Sequence, residues 1–351
     1  MNISEISGTM VSDPSTATNQ IIVDTGDGLQ RAIATSAVSG TIVSEDSIET
    51  TDCIVDTGSG LQRAIKTAGG GGGGTSTKYG ASVDNFLGDV DANGVLQAPT
   101  EEVNVVFTGV KDIVANGLKY KWQNSSNIKS ASFPNLTSIT GTSCLNLTFQ
   151  YSSLESISFP ELTSVSAENA LNNSCSSASN LTAVSFPKLS TINGQRSFYQ
   201  AFLGTGVTSA SFPELTSISG NYACSEMFSS CSSLSSISFP KLTSVSGYGL
   251  QYAFRSTAVT SVTFPALSSI NAYYALAGAF QMCTSLTSIS FPALVSNMLG
   301  RSQFSRMLDG CTGVTVHFPS NLQSVIGSWS DVTAGFGGTN TTVLFDLPAT
   351  E

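Results

Sequence analysis

Residues 231–246 read CSSLSSISFPKLTSVS, and variants of this stretch recur along the chain with eight Phe-Pro pairs in all. Neighbouring pairs are separated by 25 to 27 residues. A unit of that length cannot bury an apolar face alone, so the units must stack into one elongated core. The repeat therefore predicts a solenoid. Its phenylalanines are Phe133, Phe159, Phe186, Phe212, Phe239, Phe264, Phe291 and Phe318.

Each copy places apolar residues at fixed positions around the Phe-Pro pair. In the quoted unit they are Leu234 and Ile237 before the pair and Leu242 and Val245 after it. The alternation before the pair predicts a short strand, and proline, which lacks an N–H, ends the pairing and turns the chain toward a second short strand. Apolar pairs upstream of the first strand are expected to fill the opposite side of the coil as a helical or irregular turn. These pairs are Ala201-Phe202, Met227-Phe228, Ala253-Phe254 and Ala279-Phe280.

The pattern AF-x-x-C-x-x-L-x-S-I-x-F-P-x-L-x-S-I resembles the BspA-like leucine-rich repeats of bacterial surface proteins. The resemblance covers residues 128 to about 325 and is clearest at 227–245 and 279–294. It implies a β-rich leucine-rich-repeat solenoid of about eight units of 25–27 residues. Because such repeats occur on adhesins, secreted host-binding proteins and viral fibres, the resemblance implies binding without identifying the partner.

Two outward positions of each strand, one and three residues before the phenylalanine, hold Ser or Thr in nearly every copy. These columns form a ribbon on the order of 35–40 Å long. An uncharged ribbon of this kind suits a host-surface glycan or a repetitive protein surface, but small hydroxyl residues are also the ordinary solvent face of stacked strands. Loop tyrosines such as Tyr248, Tyr252, Tyr273 and Tyr274, and the solenoid ends, are alternative contact sites. The predicted binding face comprises Ser132, Ser156, Ser158, Ser185, Ser209, Ser211, Ser236, Ser238, Ser261, Thr263, Ser288 and Ser290.

Composition sets limits on the partners. Hydrophobic residues make up 40% of the chain, which is enough to build a core. Charged residues make up 11%, which is too little for an ordinary cytosolic surface. Residues 1–127 hold 15 acidic and 7 basic side chains, whereas residues 128–318 hold 6 and 7. The sequence contains no basic stripe that would predict nucleic-acid binding. It also contains no run of 18 apolar residues that would predict membrane insertion.

The chain has seven cysteines and a single histidine, His317. Their arrangement argues against catalytic and metal sites. The cysteines form no CxxC pair with histidine companions, so buried free thiols are predicted. Cys283 and Cys311 lie in adjacent units, which leaves an oxidised pair open. His317 is interpreted as a variant of the serine column. We therefore expect a non-enzymatic protein with no catalytic residues, metal or cofactor.

The amino-terminal segment contains its own duplication. IVDTGDGLQRAIAT at 22–35 returns as IVDTGSGLQRAIKT at 54–67, which predicts twin β-hairpins with glycine-bearing turns. The Asp-Thr-Gly triplets resemble aspartic-protease loops, but the two copies stand 32 residues apart and lack two enzyme lobes, so turn chemistry is favoured. The residues predicted for attachment are Asp24, Gly26, Arg31, Asp56, Gly58 and Arg63.

Four parts follow from these patterns. Residues 1–74 form an extended attachment arm that contains the hairpins and ends in the glycine run 69–74. Residues 75–127 form a connector and cap, with a strand at 103–110 and Trp122 plugging the first coil. Residues 128–325 form the solenoid, and residues 326–351 form a closing cap with a strand at 342–347.

An acidic, repetitive arm followed by a recognition solenoid resembles the plan of tailed-phage fibres, and no export leader is visible at Met1. The sequence therefore predicts a phage virion protein of the tail or head fibre or receptor-binding type, which joins other virion subunits through the arm. Binding of a host-surface glycan or protein through the solenoid is expected, as is a homo-oligomer. One alternative is a bacterial surface adhesin, at the cell surface or secreted. Another is a structural capsid, neck or tail subunit that buries its Ser/Thr columns against neighbours.

Overall fold

The computed structural model describes residues 102–107, 110, 112–113, 115–295, 301–327 and 335–350. Side chains are described throughout these ranges except at Val103 and Arg301. Seven strands before residue 80 are described by their backbone alone. Two antiparallel sheets of three strands lie in the arm, each built on one copy of the duplication. The predicted hairpins are confirmed, whereas the third strand in each sheet was not predicted. The strands are β1 (Thr9–Met10), β2 (Gln20–Asp24), β3 (Leu29–Ala34), β4 (Thr41–Ile42), β5 (Asp52–Asp56) and β6 (Gln62–Lys66).

The solenoid has two columns of parallel strands. The first column, which precedes the Phe-Pro pairs, is β7 (Ser76–Tyr79), β8 (Val103–Val106), β9 (Ile128–Ser132), β11 (Ser156–Ser158), β13 (Ala183–Ser185), β15 (Ser209–Ser211), β17 (Ser236–Ser238), β19 (Ser261–Thr263), β21 (Ser288–Ser290), β22 (Thr315–Pro319) and β23 (Thr342–Leu347). The second column is one six-stranded sheet of β10 (Ser138–Ile139), β12 (Ser164–Val165), β14 (Thr191–Ile192), β16 (Ser217–Ile218), β18 (Ser244–Val245) and β20 (Ser269–Ile270).

The eight Phe-Pro phenylalanines form a single file through the core, as the repeat predicts. The file continues at both ends, to Phe107 and Phe345, which are not followed by proline and were not predicted. Neighbouring ring centroids are 4.4 to 6.2 Å apart along the whole file. Full burial of one such ring stabilises the fold by roughly 1.5–3 kcal/mol, and ring stacking adds to this.

The third side of each coil, which we call the turn face, is a chain of tight turns. The amides of Leu171 and Asn173 donate to the carbonyls of Ser197 and Tyr199 in the next coil, at 2.6 and 2.9 Å. Between them, the amide of Asn172 donates back to Asn169 within its own coil. A helix would use all of these amides internally, so of the two forms expected here, a helical or an irregular turn, the structure shows the irregular one. The predicted Ala-Phe and Met-Phe plugs are nevertheless buried.

Both ends of the first column carry extra strands. At the amino end β8 pairs with β9 and β7 pairs with β8, and the Trp122 ring, buried as predicted, lies 5.5 Å from Phe149. The strand expected at 103–110 is shorter than predicted, whereas β23 matches the expected 342–347. The described helical segments are two 3-10 turns, Arg301–Phe304 and Ser320–Leu322, then α1, Gln323–Ile326, and residues 335–336. None of these is long and apolar enough to cross a membrane.

Candidate binding surfaces

The twelve Ser and Thr residues predicted for binding, here called the hydroxyl platform, lie on the outward side of the first strand column. None of the twelve side chains is buried. Strand pairing places equivalent positions side by side, so Ser156 lies between Ser130 and Ala183. The predicted orientation of the strand faces agrees with the structure, and the binding role of the platform stays a prediction.

Hydroxyl groups within the platform bind one another in two places. Ser158 Oγ donates to Ser132 Oγ at 2.9 Å, and Ser290 Oγ donates to Thr263 Oγ1 at 2.9 Å. Each hydroxyl carries one donor and two acceptor sites, so these contacts leave hydrogen-bonding capacity for a ligand. The platform therefore offers an ordered, uncharged array.

Other hydroxyl columns stabilise the stack instead. Just after the Phe-Pro turn, Thr163 Oγ1 donates to the carbonyl of Thr137 in the preceding coil at 2.9 Å. The same bond recurs at Ser190, Thr216 and Thr243, at 2.9 to 3.0 Å. The sequence shows both kinds of column as equally rich in Ser and Thr, so only the structure separates the hydroxyls that bind a backbone carbonyl of the neighbouring coil from those on the outward side of the first strand column.

Charged side chains lie beside the platform and not on it. Lys188 pairs with Glu161 at 2.6 Å, and Lys241 pairs with Glu214 at 2.7 Å, each across two adjacent coils. Exposed pairs of this kind stabilise a fold by about 0–1 kcal/mol. At the carboxy-terminal end, His317 continues the serine column as predicted, and its Nδ1 lies 2.9 Å from Asp346 Oδ2.

The six cysteines with described side chains are buried free thiols, as predicted. Cys231, Cys283 and Cys311 take equivalent places, and each S–H donates to a phenylalanine carbonyl at 3.0 to 3.1 Å. Cys283 and Cys311 are therefore not joined. Burial raises the pKa of the Cys175 thiol to about 12 and that of Cys311 to about 11, so both stay protonated and unreactive at neutral pH. In the described part of the chain, no group of three His, Cys, Asp or Glu is placed to hold a metal ion.

The turn face carries an aromatic feature that the sequence indicated only in part. Tyr222 stacks on Tyr248 at 4.3 Å, Tyr248 stacks on Tyr274 at 5.6 Å, and Arg196 lies over the Tyr222 ring at 5.5 Å. Tyr248 and Tyr274 were predicted as loop tips, whereas Arg196 and Tyr222 were not predicted. The spacing of 26 residues between neighbours is the signal that would have found them.

The residues predicted for attachment are described only in part. Asp24 and Arg31 lie on the paired strands β2 and β3, and Asp56 and Arg63 lie on β5 and β6. Gly26, Gly58 and the glycine run fall outside the described residues.

Stacked parallel strands around a continuous apolar core define a repeat solenoid, a class whose leucine-rich members typically serve as non-enzymatic interaction scaffolds. The chain belongs to the BspA-type leucine-rich-repeat family. The family described as BspA type leucine rich repeat region matches in six copies, at residues 118–221 and 199–329, which together span more than half of the 351 residues. This membership indicates a repeat protein of the surface or adhesin type, and no enzymatic family is found.

Two solved structures are similar to the chain. The pneumococcal vaccine antigen PcpA shares 12% identity over 88% of this chain and 100% of that chain, with a TM-score of 0.25. A leucine-rich repeat protein from Eubacterium ventriosum shares 14% identity over 80% of each chain, with a TM-score of 0.32. No curated protein matches the sequence. None of these comparisons supports the virion role, which stays a prediction.

Proposed function

We propose that the chain is a non-enzymatic surface protein whose hydroxyl platform binds a host-surface glycan. The observation that carries this proposal is the separation of the hydroxyl columns. One set donates to backbone carbonyls of the neighbouring coil beside the second strand column, whereas the platform lies on the outward side of the first strand column, where none of its side chains is buried.

The chemistry of the platform favours a glycan over a protein partner. Protein interfaces depend on a few aromatic or arginine anchors that become fully buried, and none of the twelve platform residues is of that kind. A saccharide chain instead presents hydroxyls that exchange hydrogen bonds with Ser and Thr. Because the platform residues carry no charge, binding is expected to depend only weakly on salt.

The test places lysine on four successive coils of the platform, at Ser158, Ser185, Ser211 and Ser238. The matched control places lysine on the same coils at Ser166, Asn193, Ser219 and Ser246, outside the platform. Labelled full-length protein is applied to a printed array of bacterial and host polysaccharides. We expect binding by wild type and the control and its loss in the platform variant, with unchanged circular dichroism. Equal binding by both variants, or no binding by wild type, would refute the proposal.

The setting in which the platform is displayed is a separate proposal. We propose that the arm joins the chain to a phage particle, on the support of its separate acidity and its duplicated hairpins. Deletion of residues 1–74 should then abolish incorporation into virions, measured by mass spectrometry of purified particles, while the solenoid stays folded. Detection of the intact chain on bacterial cells and not in particles would assign it to the adhesin alternative.

A further inference from the structure

A strip of side chains on the turn face crosses four coils. Its first row is Arg196, Tyr222, Tyr248 and Tyr274, with ring planes only 5° and 8° apart in the two tyrosine pairs. Each ring covers the face of its neighbour, so the middle tyrosines present mainly ring edges and phenol hydroxyls to solvent. Because the side chains of the strip are already stacked, a partner can bind them with little further loss of side-chain entropy.

A second row lies four residues further along each coil and comprises Gln200, Glu226, Tyr252 and Gly278. The Tyr252 ring lies over Gly278, where an added Cβ would meet the ring at 2.1 Å. Seven of the eight positions in the two rows, all but Tyr248, have positive φ values between 49° and 62°. Six of the nine tyrosines of the chain lie between residues 199 and 274. Tyrosine and arginine are among the residues enriched where proteins bind each other.

The two ends of the strip are chemically different. Arg196 is an exposed cation at the amino-terminal end. At the other end Tyr274 is 40% exposed and Tyr273 is 73% exposed. An arginine guanidinium is attracted to an aromatic face by about 0.5–2 kcal/mol. Each end therefore carries the group that the opposite end would bind.

The middle of the strip shows the same complementarity in its charges. Glu226 accepts hydrogen bonds from the Tyr199 hydroxyl at 3.2 Å and from Gln200 Nε2 at 3.1 Å, which fix its carboxylate. The pKa of Tyr199 is raised, mainly because the phenol is partly desolvated and secondly because the Glu226 carboxylate is near. The phenol therefore keeps the proton that it donates. Arg255, three residues after Tyr252, is exposed and forms no ion pair among the described residues.

We propose that the strip binds a second copy of this chain, with the two solenoids antiparallel. The two-fold axis that relates them lies in the plane of the interface and runs perpendicular to the long axis of the solenoid. This operation places each row against its own copy in reverse order. Arg196 then meets the partner's Tyr274, Tyr222 meets the partner's Tyr248, and Glu226 comes beside the partner's Arg255. A two-fold contact requires such self-complementarity, and a strip with one cationic end and one exposed aromatic end provides it.

This inference goes beyond the proposed function, because it concerns the turn face and leaves the hydroxyl platform free in each copy. Two platforms held by one dimer would bind a repetitive surface more strongly than one platform alone. Four coils form a small interface, so the association is expected to be weak and dependent on concentration.

The first test is sedimentation of the full chain over a concentration series. Arg196→Glu, Glu226→Arg and Arg255→Glu should each weaken dimerisation about tenfold or more, and Glu226→Arg combined with Arg255→Glu should restore it. Tyr151→Ser is the control, because Tyr151 is 57% exposed on another part of the turn face. The proposal fails if wild type shows no concentration dependence, if the strip variants match the control, or if the double exchange does not recover association.

The second test fixes the orientation of the two copies. In a Cys53→Ser background, Tyr222→Cys chains are mixed with Tyr248→Cys chains under mild oxidation. The two-fold arrangement predicts more cross-linked dimer in the mixture than in either variant alone, because position 222 faces position 248 of the other copy. Equal yields in all three samples would overturn the arrangement. The platform lysine variants should cross-link normally, which separates failure of this proposal from failure of glycan binding.

Discussion

The platform side and the turn face of each coil hold the stack together in similar ways but carry different information. On both sides, backbone amides donate to the next coil. On the platform side the outward residue is Ser or Thr in nearly every coil, whereas at one turn-face position it changes from Arg196 to Tyr222 along the stack. A repeated backbone therefore leaves the side chains on one face free to vary. The platform suits a repetitive partner, and the turn face can distinguish a specific one.

The strongest test of this comparison asks whether the two sides share one core. Phe212 stacks on Phe239 at 5.2 Å within its file and contacts Phe228 of the turn side at 6.5 Å. Phe212→Ala should reduce the free energy of unfolding by about 3–5 kcal/mol, because it leaves a cavity between both sides. Denaturant unfolding followed by far-ultraviolet circular dichroism and by tyrosine fluorescence measures this change.

The two probes should report a single shifted transition in Phe212→Ala. Ser211→Ala, next to it but facing solvent, is the control and should change stability by less than about 0.5 kcal/mol. Two separate transitions, with only the circular dichroism signal shifted, would show that the sides unfold independently and that the comparison concerns two cores.

An intermediate effect is expected where the turn face needs glycine. Gly278→Ala must adopt φ near +61° and also displace the Tyr252 ring. Gly313→Ala is a matched control, since its φ is +71° and no atom lies within 4 Å of the added Cβ. Both variants incur left-handed strain of about 1–2 kcal/mol, and we expect Gly278→Ala to lose about 1 kcal/mol more by equilibrium unfolding. Equal losses would show that the Tyr252 contact does not contribute to stability.

The smallest effect is expected at the ion pairs beside the platform. Lys188→Gln should change the free energy of unfolding by less than about 1 kcal/mol, because Lys188 and Glu161 are both exposed. Lys241→Gln removes the equivalent pair two coils away and should give the same result. A loss above about 2 kcal/mol at either site, measured by the same titration, would mean that these pairs contribute far more than exposed pairs usually do.

Much of the solenoid could be predicted from its sequence, because alternation and the Phe-Pro spacing fix which side chains face inward. The file of eight rings and the orientation of the hydroxyl platform follow from that alone. Phe107 and Phe345 escaped prediction since neither is followed by proline. The strands β1 and β4 escaped it because two residues give no periodic signal.

The turn face could not be predicted for a different reason. Positive φ is usually read from glycine, yet here Arg196, Tyr222 and Glu226 adopt it. Their conformation is imposed by alternate amides that bind the neighbouring coil, a contact between residues about 26 positions apart. No local pattern in the sequence records that constraint, and the sign of the tyrosine strip in the sequence is the 26-residue spacing of Arg196, Tyr222, Tyr248 and Tyr274.

Glu161, Lys188, Glu214 and Lys241 alternate in charge along four successive coils. This alternation limits which duplications of the repeat would keep the ion pairs. Each ion pair joins two coils, and the next pair begins again with glutamate. The unit of gene duplication that preserves every pair is therefore two coils and not one. Homologues that lengthen or shorten by an even number of coils would keep this pairing, whereas a change by a single coil within the charged region would leave an acid or a base unmatched.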